Sequence, residues 1–133
     1  MSSPEDLIRQ HALLPHPFEG HWRETAHVKG IRREGLQLLT ALDEAGWHGV
    51  EAEVSYTLEE GGPVALSLSS NRRTAYGYRL LTPGDAVKVG PAVLRAISCL
   101  GGHALLRLRL EPDVALTDRQ LMPDDWYPQP DGV

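Results

Sequence analysis

The chain has 133 residues, 41% hydrophobic and 23% charged, with a formal net charge of −5. That is the composition of one globular domain with a core, not of a disordered segment. The acidic balance disfavours nucleic acid, no apolar run approaches a membrane span, and MSSPEDLIRQ lacks a secretory pattern, so a cytoplasmic protein is expected. In chain order, Ser3-Pro4-Glu5-Asp6 opens a helix: Ser3 can cap it, Pro4 suits the first helical position, and Asp6 sits at the positive end. Leu7, Ile8 and His11 continue it, and Pro15 and Pro17 stop it, so a helix is expected from Pro4 to about His11.

Past Pro17 the pattern has period two. In VEAEVSYTL, Val50, Ala52, Val54, Tyr56 and Leu58 share one face, and Glu51, Glu53, Ser55, Thr57 and Glu59 the other, which predicts a half-buried strand. VALSLSS alternates Val64, Leu66 and Leu68 with Ala65, Ser67 and Ser69; LLRLRLEP sets Leu106, Leu108 and Leu110 against Arg107 and Arg109. Shorter strands are expected over Leu36–Leu42, Tyr76–Leu81, Ala86–Val89 and Val93–Cys99. Turn residues separate them at Glu59–Pro63, Ser69–Arg73, Thr82–Asp85 and Leu100–His103. Short strands at this spacing predict an all-β antiparallel sandwich or barrel. One domain is expected: a helix over 1–12, a strap or strand over 13–30, a barrel over 36–122 and an extended tail over 123–133.

The single cysteine, Cys99, excludes an internal disulfide and a thiolate metal cluster, and its place on an apolar run reads as a small buried hydrophobe. None of the six histidines forms a close pair of the kind a strand or helix uses to hold a metal. His16, His21 and His27 read as surface or hydrogen-bonding residues, with a zinc site among them as the alternative. No phosphate loop, nucleophile elbow or zincin pair is present. Glu51 and Glu53 fall on the solvent face, as do Arg107 and Arg109. Trp47-His48, read as the start of a strand, is either a core tryptophan beside a half-buried histidine or the rim of a site.

Two regions together resemble the cupin superfamily. Its first motif, counted from His48, lands on Val50, Val54 and Gly61; its second, counted from Gly84, lands on Gly90, Ala92, Arg95 and Cys99. The turn glycines Gly61 and Gly84 fit, and Pro63 follows. A closer match is a small single-domain cupin branch with a segment like LxxHPEGGYFRET: Leu13 to Thr25 reads LLPHPFEGHWRET, keeping His16, Pro17, Gly20, Arg23, Glu24 and Thr25 and departing at Phe18 and Glu19. Trp47–Leu66 and Leu105–Leu121 align with that branch's later segments, the second keeping Pro112 and Asp118.

The resemblance implies a cupin-like antiparallel β-barrel, or jelly roll, after a short N-terminal helix, and a homodimer built on the N-terminal strap. Val50, Val54 and Arg95 stand where the family places metal ligands, so no metal and no other cofactor is expected. Arg95 would point inward beside His48, with Val50, Val54 and Tyr56 lining the wall. A buried guanidinium needs a counter-charge, either an internal glutamate or an external anion. One reading is a metal-free cupin that binds a small anionic or amphipathic molecule through His48, Val50, Val54, Tyr56 and Arg95, or that is purely structural. The alternative is a metal-independent nucleotide-sugar epimerase or isomerase, with His48 as base, Tyr56 or Tyr78 as acid and Arg95 as anion anchor. A metal-dependent dioxygenase or lyase is argued against by the missing ligands.

Overall fold

Ser3 caps the first element as expected: its Oγ accepts the Asp6 amide (3.1 Å) and its own amide donates to Asp6 (3.3 Å). The computed structural model describes residues 2–41, 43–70, 77–123 and 126–128. Helix α1 (Pro4–His11) ends at Ala12 in the left-handed conformation. The strands follow as β1 (Leu14–Pro15), β2 (His21–Val28), β3 (Arg32–Thr40), β4 (Glu44–Gly49), β5 (Glu53–Gly61), β6 (Val64–Ser69), β7 (Gly77–Leu81), β8 (Ala86–Val89), β9 (Leu94–Cys99), β10 (His103–Glu111) and β11 (Gln120–Leu121). Leu42, Tyr76, residues 71–73 of one turn and residues 124–125 and 129–133 of the tail lie outside the described residues. Among the described residues, no helix is long and apolar enough to cross a membrane.

All pairings are antiparallel. One sheet runs β1-β2-β3-β10-β5-β8 and the other β11-β4-β9-β6-β7. They face each other as a jelly roll without closing into a continuous barrel. The period-two residues meet between them: Val54, Tyr56, Leu58, Leu66, Ile97 and Leu106 belong to one buried cluster. β3 does not alternate, because both of its faces are covered. Leu39 joins that main core, while Leu36 and Leu38 pack with Leu7 and Leu105 in a second cluster to which α1 contributes.

Gly61 closes the β5–β6 corner at φ +82°, where a Cβ would lie 2.3 Å from the His103 carbonyl oxygen, so the turn admits only glycine. Trp47-His48 ends β4 and does not open a strand. β4 belongs to one sheet and β5 to the other, and residues 50–52 carry the chain between them. β11 was not anticipated: it is two residues long and pairs only with Gly49 and His48.

Candidate functional site

β4 and β9 place His48 directly opposite Arg95 in register. Paired residues share a sheet face, and both side chains are buried, His48 at 3% exposure and Arg95 at 0%. His48 Nδ1 lies 2.7 Å from the Gly46 carbonyl oxygen. A carbonyl only accepts, so Nδ1 carries the proton and Nε2 keeps its lone pair. Burial first, and then the Arg119 cation, lower the His48 pKa to about 3, with Arg95 and His16 adding to the effect and the Gly46 hydrogen bond opposing it. The ring is therefore neutral at physiological pH.

His48, Val50, Val54 and Tyr56 line one cavity with Glu19 and Arg119. Its volume of about 20 Å³ is room for a single water. Arg95 does not line it. Its guanidinium turns toward the end of its own strand, donating to the Gly90 (3.0 Å) and Val93 (2.9 Å) carbonyls and to the Tyr56 hydroxyl (3.3 Å). Of the two counter-charges considered, the internal glutamate is not there: among the described residues no carboxylate pairs with Arg95, which donates to carbonyls instead. Arg95 thus acts on the cavity through its field and through Tyr56 and is not among its lining residues.

The cation at the cavity is Arg119, which sequence reasoning missed. Its NH1 donates to Glu19 Oε1 (2.8 Å), with side-chain exposures of only 8% and 4%. Gln37 Nε2 donates to the same oxygen (2.9 Å), and Arg119 NH2 lies 3.4 Å from His16 Nε2. His16 Nδ1 accepts the Phe18 amide (3.1 Å), and burial lowers the His16 pKa. Arg119 also lies over the Phe18 ring, 4.9 Å from its centroid. Glu19 carried a signal in the sequence, since Phe18-Glu19 is where the HPEGG-like segment departs from its pattern. Arg119 carried none: it sits in an irregular stretch and meets Glu19 only through the tertiary fold.

Other candidates stand elsewhere. Tyr78 is 71% exposed on β7, away from the cavity, which removes it as an acid facing His48. Glu51 and Glu53 are exposed, as expected, and Glu51 accepts from Gln120 (3.0 Å). His16, His21 and His27 do not converge, His27 pairing instead with Asp113 (2.8 Å). Among the described residues no three or more His, Cys, Asp or Glu side chains are grouped to hold a metal. Cys99 is buried, and burial raises its pKa. At the positions where the resemblance sets metal ligands, Val50 and Val54 offer no lone pair and Arg95 is a buried cation, so those residues do not fit a metal ion.

No protein-family model matches the chain, and no curated protein matches it. Among solved structures, it is similar to a structural-genomics target from Shewanella oneidensis (TM-score 0.79, 16% identity, 92% of this chain and 85% of that one). It is similar to a hypothetical protein from Leishmania major (TM-score 0.74, 18% identity, 91% and 88%). It is also similar to KdgF from Halomonas sp., a cupin-fold protein (TM-score 0.67, 16% identity, 80% and 91%). At such identities the likeness shows the fold alone, and that fold is cupin-like.

Proposed function

We propose that this chain is a metal-independent cupin-fold protein that binds a small organic anion at the cavity between His48 and Arg119. One observation carries the reading. Two buried guanidinium groups, Arg95 and Arg119, act on the His48 cavity against one buried carboxylate, Glu19. Asp118 also lines the cavity, but it is exposed to solvent. Carbonyls serve Arg95, whereas Arg119 has a single Glu19 oxygen that Gln37 also uses, so an anion offering two oxygens matches its fork better. His48 adds a neutral acceptor at Nε2, while Val50, Val54 and Tyr56 supply apolar walls.

The closed cavity is too small for an organic ligand, so the anion enters by taking the place of the Glu19 carboxylate on Arg119. The isomerase reading lacks one of its parts: His48 is braced by a carbonyl and not by a carboxylate, while of the two candidate acids Tyr56 lines the cavity and Tyr78 faces outward. A ring with a pKa of about 3 is a weak base.

Calorimetric titration with acetate, before and after treatment with EDTA, tests the proposal. Saturable binding that EDTA leaves unchanged and Arg119→Met abolishes is expected. Absence of binding, or binding that EDTA removes, overturns it.

A further inference from the structure

Neighbouring residues of β4 face two different spaces. His48 lines the inner cavity, whereas Trp47 lines a cleft on the outer side of the sheet. There Trp47 meets Trp126, ring centroids 5.6 Å apart and planes at 72°, and Tyr127 at 6.4 Å. With Phe18 and Met122 these rings wall a cleft of about 520 Å³, within the range that holds an organic ligand.

The cavity and the cleft have two lining residues in common, Glu19 and Arg119. Their ion pair is the partition between the two spaces. The partition stands at a sheet edge, because β11 pairs only with Gly49 and His48 and Arg119 immediately precedes it.

Arg119 is incompletely served. Its Nε is buried with no hydrogen-bond partner among the described residues, and Glu19 gives it a single oxygen that Gln37 also uses. A planar fork of donors is best matched by a carboxylate that offers both oxygens.

We infer that the ligand is an aromatic carboxylate, its carboxylate replacing that of Glu19 on Arg119 and its ring lying in the outer cleft against Trp47. The inference rests on the anion-binding reading above and adds the second half of the molecule. The cavity has no room for a ring, while the cleft has both the volume and the aromatic walls. Glu19 is the internal group that holds the partition closed until a competing carboxylate arrives.

Calorimetry with acetate and phenylacetate separates the two claims. Phenylacetate is expected to bind about tenfold tighter than acetate, from burial of its ring. Trp47→Ala should remove that gain and leave acetate affinity unchanged. Glu19→Gln should tighten both ligands, because the internal competitor loses its charge. In the unaltered protein, the indole N–H resonances of Trp47 and Trp126 should shift with phenylacetate and not with acetate, a readout that holds even where Trp47→Ala fails to fold. Equal affinity for the two ligands, or indole resonances that phenylacetate leaves unmoved, overturns the aromatic inference and leaves the anion reading standing. Binding of neither ligand, in the unaltered protein and in Glu19→Gln alike, overturns both.

Discussion

Arg95 stands opposite His48 across the β4–β9 pair, yet its guanidinium reaches away from the ring to the carbonyls of Gly90 and Val93. The pairing puts a permanent charge beside a histidine that must stay neutral, and the hydrogen bonds hold that charge on its own side of the interior. The positive field around His48 therefore comes from two sources with different duties. Arg95 is fixed inside the fold, whereas Arg119 lies at the partition, where a ligand can reach it.

Arg95→Ala follows from this division. The substitution leaves two carbonyls and the Tyr56 hydroxyl without their charged donor, a loss on the order of 3 kcal/mol. Denaturant unfolding should show that loss to the same extent with and without added acetate. A variant as stable as the parent, or one whose deficit is confined to the acetate-bound state, would mean that Arg95 serves the ligand directly.

Cys99 should be unreactive in the folded protein. Its side chain is buried, and burial disfavours the thiolate by raising its pKa, outweighing the opposing Gly101 backbone hydrogen bond. Ellman's reagent should react slowly with native protein and count one thiol after denaturation. Rapid labelling without denaturant would contradict the packing of β9.

How far the molecule could be read from its sequence depended on whether one residue and its neighbours held the information. The helix was legible because Ser3, Pro4 and Asp6 are local signals, and β5, β6 and β10 because a sheet with one buried face imposes alternation. β4 was not legible: its pairing shifts register between Ala45 and His48, and Gly46 interrupts any alternation. The shared interior of His48 and Arg95 could be reached through the cupin resemblance, but the direction of the guanidinium could not, since parity gives a face and not a rotamer. Arg119 and Glu19 meet only because the N-terminal strap and the segment before β11 converge at one sheet edge, and no spacing in the chain encodes that.

The N-terminal strap carries the proposed homodimer. β2 is covered by β1 only at His21 and Trp22, so from Arg23 to Val28 its outer edge has no strand partner among the described residues. Leu14 and Phe18 beside it are 64% and 47% exposed. An open edge next to exposed apolar side chains favours pairing with a second copy across a two-fold axis. The register shift between Glu24 and Ala26 limits that pairing to one side of the bulge. Light scattering at micromolar concentration should give twice the 14.7 kDa of one chain. A monomeric mass rules the dimer out.

Acid should weaken the fold through His48 before it does so through the carboxylates. The ring titrates near 6.5 in the unfolded chain and at about 3 in the folded one. Between those values the unfolded state binds a proton that the native state excludes, so stability falls as pH is lowered. The His48 contribution is intact above about pH 6.5 and is lost progressively down to about 3. His16, whose pKa burial also lowers, acts in the same direction. Hydrogen bonds hold the Asp6, Asp85 and Asp113 carboxyls below the ordinary aspartate range, so their contributions disappear only in stronger acid. The charged and titratable groups around His48 are Arg95, Arg119, Glu19, Asp118 and His16. Urea midpoints measured from pH 7 to pH 4.5 should fall steadily for the parent chain and less steeply for His48→Gln, with the remaining slope reduced again by His16→Gln. If His48→Gln loses stability with the same slope as the parent, the ring is not buried in its neutral form, and the electrostatic account of the cavity fails with it.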